Sequence, residues 1–486
     1  MSAGLLVRSP LVLRPDPARV IARPFLPGEE LLADGRARVD AVVDRVQAMA
    51  DADVTATLVA TRAAFGDRHD DLDGVFAAHF AAVADRAGTG VLPPERAALI
   101  GAYFTQEYAL EAAALFNPSM VVHPDQAGLA PGELRFLMTV RSVGEGHVSS
   151  IQFRSGVLGS GPADLRVDDP GRPRTPAHRS ATLSRDVLLA AVADRTGNPV
   201  DELARVLPPH VDGDNLEQVL EAVRRDYLDR VRGAVVAEQV RWVFRCDYGL
   251  DVDPGVPATD TALFPVAPDE LRGVEDARLT RLVEDDGSVA FHATYTAYDG
   301  TAIASHLVST TDFRRLDVRQ LLGPASRSKG MALFPRRLDG DYAALVRWDR
   351  ESIGVARSRD LRWWDPAVIV QQPAEPWELI QLGNCGPPIE TEAGWLVLNH
   401  GVGPVRRYGI GATLLDRDDP TVLRGVLAEP LLLPDEDERV GYVPNVVYSC
   451  GALVHGDRLV LPYGCSDSSI RFAFVDLPAL LARLTA

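Results

Sequence analysis

Apolar residues recur along this chain with two different periods, and the switches between them divide it. Between residues 31 and about 115, Ala, Leu, Val and Phe return at steps of three and four, in 39–50, 54–65, 72–87 and 94–115. That spacing lines one face of a helix, so four helices are predicted, punctuated by Gly88-Thr89-Gly90 and Pro93-Pro94. Ahead of them, residues 1 to about 30 are rich in Pro and Arg and read as an extended arm lying on the body. Near Asn117 the period shortens to two, with strands predicted over 117–123, 134–141 and 149–158. Helical spacing returns over about 184–243 through Leu188, Leu189 and Val192, then Leu216, Val219, Leu220 and Val223. From about Asp251 onward nearly everything is short strand and turn. Four segments follow: an N-terminal arm and helical region (1–115), a first β unit (116–165), a helical insertion (166–248) and the remaining β units (249–486).

The β part carries a weak repeat. A glycine precedes each long apolar strand at Gly132, Gly287, Gly340, Gly394 and Gly456, with successive gaps of 155, 53, 54 and 62 residues. Three gaps lie near the length of a four-stranded propeller blade, roughly 40–50 residues plus loops. The long one fits a blade plus the helical insertion. Each glycine is flanked by an earlier strand (117–123, 276–283, 331–338, 387–391, 445–450) and a later one (134–141, 289–298, 342–348, 395–400, 458–463). The expected fold is therefore mainly β: a five-bladed β-propeller with an N-terminal α-helical extension and a helical insertion. The helical regions are expected to serve as scaffold or as the contact between copies in a homo-oligomer.

In a propeller the innermost strands of all blades begin at one end of a shared channel. Those starts hold Asn117 and Ser119, Glu275 with Asp276 and Arg278, Lys329, Pro387-Pro388 and Asn445. Apart from the prolines these are polar or charged, which points to a ligand in the channel. Composition limits what the ligand is. The chain is 46% hydrophobic and 24% charged with a net charge of −18, and no Lys/Arg run stands out, so nucleic acid and anionic membranes are poor partners. The cysteines (Cys246, Cys385, Cys450, Cys465) have no CxxC spacing, so reduced thiols are expected, and neither a zinc site nor a disulfide framework. The first 27 residues lack the apolar core of a signal peptide, no stretch reaches the ~20 apolar residues of a membrane span, and a cytoplasmic location is expected. Trp348, Trp363, Trp364 and Trp395 could stack on a sugar ring or pack between blades.

An ordered set of segments resembles glycoside hydrolase family 130, the mannoside phosphorylases and related mannosidases. It comprises Phe116-Asn-Pro-Ser-Met120, Gly273-Val-Glu-Asp-Ala-Arg278, Lys329 with Leu333-Phe-Pro335, and Gly386-Pro-Pro-Ile389 with Gly394-Trp-Leu396 and His400-Gly-Val402. Leu414-Leu-Asp416 with Asp419-Pro420, Pro444-Asn-Val446 and Tyr463-Gly464 with Asp467 complete it. The similarity covers roughly 116–160 and 250–480, and the family fold is a five-bladed propeller. It implies an inverting phosphorylase that cleaves a β-mannoside oligosaccharide with inorganic phosphate as co-substrate and needs no metal or organic cofactor. Inversion requires an acid for the leaving oxygen and a nucleophile on the opposite face of the sugar; phosphate as nucleophile replaces the base but must be held by cations and amides.

By resemblance, Asp276 is the general acid, passing its proton through a sugar hydroxyl, and Arg141 with Lys329 holds phosphate, with Arg154 as a third member. Glu275 either binds sugar hydroxyls or caps its turn; Asn117, Ser119, Arg278, His400, Asn445 and Asp467 are expected around the substrate. Two positions depart from the family pattern. Val346 stands beside Arg347 where a histidine is usual, with His147 as a stand-in or a mere loop residue, and Asn399 precedes His400 where tyrosine is common. The rival readings are a β-mannosidase using Glu145, Glu390 or Asp467 as base, and a sugar-binding propeller without turnover.

Overall fold

The computed structural model describes residues 4–28, 31–87, 92–198, 200–227 and 230–486. The expected turn at Gly88-Thr89-Gly90 lies outside the described residues. The chain divides into two compact units. The smaller comprises Asp16–Leu110 with Arg172–Arg174; the larger comprises Met1–Pro15, Glu111–Gly171 and Thr175–Ala486.

Among the described residues the smaller unit holds four α-helices: α1 (Arg38–Gln47), α2 (Asp51–Phe65), α3 (Leu72–Ala81) and α4 (Pro94–Tyr103). Their apolar positions meet in a small core around Val43, Val46, Val54, Leu99 and Ile100. Arg96 of α4 donates to the carbonyls of Val46, Gln47 and Met49, satisfying acceptors that the end of α1 leaves open. The fourth helix stops at Tyr103, earlier than its spacing suggests. The following residues, Thr105–Ala109, pair as a strand with Val20–Pro24, so part of the expected arm belongs to a two-stranded sheet.

The larger unit is mainly β. Its strands form five antiparallel meanders. The first runs Ala114–Val122, Leu134–Val143 and Ser149–Leu158, with Arg166–Val167 at its edge. The second runs Gly273–Val283, Val289–Tyr298, Ile303–Thr310 and Arg315–Gln320, and is extended by Tyr248–Asp251 and Ala177–Ser180. The third is built on Tyr342–Val346 and Ile353–Ser358, the fourth on Gly394–Val402 and Tyr408–Leu415. The fifth is built on Arg458–Cys465 and Ser469–Asp476, and its outer edge is Leu6–Leu13 from the start of the chain. Leu6–Leu13 thus leaves the expected arm and completes a sheet with the last strand.

All five glycines of the sequence repeat sit at positive φ, from 58° at Gly456 to 136° at Gly394. A side chain there would be strained, which is why the repeat is visible as glycines. Successive sheets are tied together. Gly273 bridges to Ser149, Val283 N–H donates to Pro335 O at 2.9 Å, Leu382 N–H to Glu351 O at 3.0 Å, and Tyr408 N–H to Asn445 O at 3.0 Å. The fifth sheet returns to the first through Cys450 N–H and Pro118 O at 2.8 Å.

The insertion folds as helices α5 (Arg185–Thr196), α6 (Leu203–Val206), α7 (Leu216–Asp226) and α8 (Arg230–Cys246). Ser184 caps α5 by accepting from Val187 N–H, and Gly197 ends it in the left-handed conformation. Leu188, Val192, Leu220, Val223 and Val240 form its core. All four cysteines are buried and none is in a disulfide. No described helix is long and apolar enough to cross a membrane.

Candidate active site

Two strands break their own alternation where they reach a cluster of charged side chains. In Gly273–Val283 the register with its neighbour jumps between Glu275 and Arg278; in Ala114–Val122 it jumps between Phe116 and Ser119. Within each break a residue turns left-handed, Asp276 at φ 57° and Asn117 at φ 49°. Neighbours on a regular strand point to opposite faces, so only one of Glu275 and Asp276 could face a given pocket. The bulge brings both carboxylates to the same side. Asp and Asn are the side chains that tolerate this backbone at least cost.

Both carboxylates line a cavity of about 250 Å³. Asn117 Nδ2 donates to Asp276 Oδ1 at 2.6 Å, and Arg141 Nη1 reaches the same oxygen at 3.2 Å. Arg141 Nη2 donates to Glu275 Oε1 at 2.9 Å, while Lys329 Nζ holds the other Glu275 oxygen at 2.5 Å. Burial alone would push the Asp276 carboxyl up, but Arg141, Arg278, Lys329 and the Asn117 amide outweigh it and hold it below the ordinary value. Without an anion present, Asp276 is a carboxylate.

The cavity is also lined by Arg347, Gln381, His400, Arg406, Tyr408 and Asp467. Burial, then the charges of Arg347 and Arg278, drive the His400 imidazole well below its usual value. Its Nε2 is therefore an acceptor, 3.2 Å from Arg347 Nη1 and 3.4 Å from Gln381 Nε2. Asp467 is pushed up to about 6 by burial and by the neighbouring charge of Asp276. Four cationic side chains, Arg141, Lys329, Arg347 and Arg406, thus face three carboxylates, one of which is held closer to neutral. Such an arrangement can hold a compact dianion beside a single acid.

Of the residues expected from the sequence, Asn117, Arg141, Glu275, Asp276, Lys329, His400 and Asp467 meet here. Four others do not line the cavity. Arg154 is buried in an ion pair with Glu111 at 2.5 Å, so its charge serves the first sheet and not an anion. Ser119 is fully buried and accepts from Leu279 N–H at 2.9 Å, tying the first sheet to the second. Arg278 does not pair with the Asp276 carboxylate; it donates to the Asp276 and Cys385 carbonyls and, at 2.7 Å, to Tyr448 Oη. It is a buried clamp under the acid. Asn445, left-handed at φ 63°, accepts from Arg439 Nε at 2.9 Å and shapes its own loop.

Glu145 does not line the cavity either, and Glu390 is engaged by Arg336 and Arg417. Asp467 alone of the three candidate bases reaches it. His147 is exposed and bonded to Tyr442 Oη at 3.2 Å, so it does not replace the absent histidine beside Arg347. His400 occupies that neighbourhood, while Val346 is core. Trp364 and Trp395 are fully buried packing residues, whereas Trp348 and Trp363 are exposed. Sequence reasoning named Arg347 only as the neighbour of the absent histidine, and missed Gln381, Arg406, Tyr408 and Tyr448.

The family model described as beta-1,4-mannooligosaccharide phosphorylase matches residues 257–485. A β-1,2-mannobiose phosphorylase of Listeria innocua is 34% identical over 230 residues, covering 46% of this chain and 63% of that protein. A 1,2-β-oligomannan phosphorylase of Thermoanaerobacter is 32% identical over 212 residues, covering 43% of this chain and 70% of that protein. Against the solved Listeria innocua enzyme in complex with β-1,2-mannobiose the TM-score is 0.46, with 24% identity over 78% of this chain and 93% of that one.

Proposed function

This chain belongs to glycoside hydrolase family 130, and we propose that it is an inverting phosphorylase that cleaves a β-mannoside with inorganic phosphate to give α-mannose 1-phosphate. The five sheets, tied in cyclic order, support a five-bladed propeller, and the starts expected for its first three inner strands, at Asn117, Glu275-Asp276 and Lys329, meet at the pocket. The single observation that carries the reading is one buried acid, Asp276, flanked by Arg141 and Lys329 and faced by Arg347 and Arg406.

In this mechanism the mannosyl ring sits over Asp276. Arg141 and Lys329, which flank that acid, hold phosphate beside it with Arg347 and Arg406, and the acid reaches the leaving oxygen, across the ring from the phosphate, only through the sugar. A phosphate oxygen attacks the anomeric carbon as the bond to the leaving oxygen breaks. Asp276 supplies the proton to that oxygen through a sugar hydroxyl, and the proton of the attacking hydrogen phosphate restores the balance. No base is needed. Phosphate also arms the acid. In the empty pocket the cations hold Asp276 ionised; a dianion drawn to Arg141 and Lys329 offsets those charges and raises the carboxylate's affinity for a proton. Asn117 orients Asp276, and Arg278 fixes the backbone from which it projects.

The test is to follow β-1,2- and β-1,4-mannobiose with and without phosphate. Sugar phosphate formed only with phosphate supports the reading. Mannose released at an equal rate in phosphate-free buffer rejects it, and would make Asp467 the base of a hydrolase.

A further inference from the structure

The segment that carries Lys329 into the pocket runs from Gln320, at the end of the second sheet, to Ala332, which pairs with Leu345 of the third. Between Leu322 and Ala332 it joins no sheet. Lys329 is also the only lysine in the sequence. An ammonium on a flexible stem lacks the fixed fork of an arginine, so its position depends on how its backbone is held.

Two sets of contacts hold that backbone. One comes from the sheets: Ser305 Oγ donates to Ser328 O at 2.9 Å, Asn384 Nδ2 to Gly330 O at 2.8 Å and Thr294 Oγ1 to Met331 O at 2.6 Å. The other comes from the helical insertion. Asp247, just past α8, accepts from Gln320 N–H at 3.0 Å and is paired with Arg362. Leu322 is buried in the insertion's core with Leu188 and Val192. Asp194 of α5 accepts from Gly323 N–H at 3.3 Å and from Arg327 Nη2 at 2.8 Å, so it spans the turn Pro324–Ser326 that leads to Lys329.

Asp194 does nothing for its own helix. It lies in the last turn of α5, where the helix dipole favours cations and disfavours a carboxylate. Its side chain is only 13% exposed, whereas Arg327 is 62% exposed, and an ion pair with so open an arginine contributes little to stability. What the carboxylate does is close the turn. Gly323, at φ 94°, lies against Trp364, where an added Cβ would meet the Trp364 carbonyl oxygen at 2.4 Å. The near end of the turn is therefore fixed, and Asp194 ties Arg327, two residues before Lys329, to that fixed end.

We propose that the helical insertion positions Lys329 for phosphate, with Asp194 as the positioning residue. The proposal rests on the pocket being a phosphate site, and it gives the insertion a part in the reaction. With Arg327 held, the lysine stem starts from a fixed backbone. With Arg327 released, the stem samples more positions, and each phosphate that binds must order it again.

The test uses the full chain and two readouts. Asp194→Ala should raise KM for phosphate about three- to tenfold, the weight of one hydrogen bond, and leave KM for the mannoside within about twofold. In the Lys329→Met background the same substitution should add less than about twofold, because the side chain it serves is gone. Arg327→Met, at an exposed position, should shift KM for phosphate in the same direction by a smaller factor, and it decides the matter if Asp194→Ala fails to fold. The second readout is the NMR signal of ¹³Cε-labelled lysine, which in this chain reports Lys329 alone. Without phosphate that signal should stand apart from free lysine in the wild type, and should narrow and move toward it in both variants. A lysine signal unchanged by either substitution overturns the proposal. So does an unchanged KM for phosphate in a chain that requires phosphate, or an undiminished effect of Asp194→Ala once Lys329 is gone. Mannobiose turnover at an equal rate without phosphate would sink the phosphorylase reading instead, and the lysine signal would still decide whether Asp194 places Lys329.

Discussion

Replacing Lys329 with Met removes one charge from the proposed phosphate cradle while keeping most of the side chain's length. Its ammonium is 2.5 Å from Glu275 Oε2, and the side chain is 37% exposed. Glu275 keeps Arg141 at 2.9 Å, so the substitution does not strand a buried carboxylate. A hydrogen bond to a charged group contributes about 1.5–3 kcal/mol, which at about 1.4 kcal/mol per decade is roughly 10- to 150-fold in affinity. More than a third of this side chain is in water, so the lower end applies, about 10- to 30-fold. The assay is initial rate against phosphate at saturating mannoside, then against mannoside at saturating phosphate. The expected result is a 10- to 30-fold rise in KM for phosphate with less than a twofold change in KM for sugar. Equal increases in both, or none in either, would refute the placement of Lys329 at the anion.

Asp276→Asn keeps a residue that tolerates the left-handed backbone but cannot release a proton; kcat should fall by about 10³-fold with the melting temperature within a few degrees of wild type, and activity above a tenth of wild type would remove Asp276 as the acid. Asp467, held at about 6, gains its negative charge as pH rises through that value, so inhibition by sulfate, which does not titrate there, should weaken across pH 5–7 in the wild type and stay flat in Asp467→Asn. The same group is protonated more readily folded than unfolded, so its ionisation costs stability as pH rises from about 4 through 6; Asp467→Asn should melt higher than wild type at pH 7.5 and equally at pH 3.5. Arg154→Met leaves Glu111 buried without that partner, and should cost about 3–5 kcal/mol in urea denaturation with KM for phosphate unchanged. A tenfold rise in that KM at unchanged stability would return Arg154 to the cradle.

The β architecture was legible because it is written in glycines. Gly132, Gly287, Gly340, Gly394 and Gly456 all need positive φ, a requirement that leaves a mark at one position per repeat. The strand Leu6–Leu13 left no such mark: Arg8 and Pro10 interrupt its apolar pattern, and its partner lies more than 450 residues away in Ser469–Asp476. At the site, the start of each inner strand was readable but the direction of each side chain was not. A bulge decides that direction. It turns Asp276 and Asn117 into the cavity and sends Ser119 to Leu279 N–H and Arg278 to the carbonyls beneath. Arg406 was hidden for a related reason: Gly403-Pro404 marks a turn, but the aim of Arg406 depends on Val405 and Arg406 both being left-handed, and neither is a residue type that favours that conformation. Arg154 misled because it alternates correctly for a strand, and only its buried partner Glu111, more than forty residues earlier, reveals what the charge is for.

The most direct measurement follows the first turnovers of β-1,2-mannobiose by NMR in ¹⁸O-labelled water with phosphate present. The account predicts the α anomer of mannose 1-phosphate as the first-formed product, with no label in the sugar. Label at the anomeric carbon of the mannose released from the cleaved side, at a rate indifferent to phosphate, would contradict it.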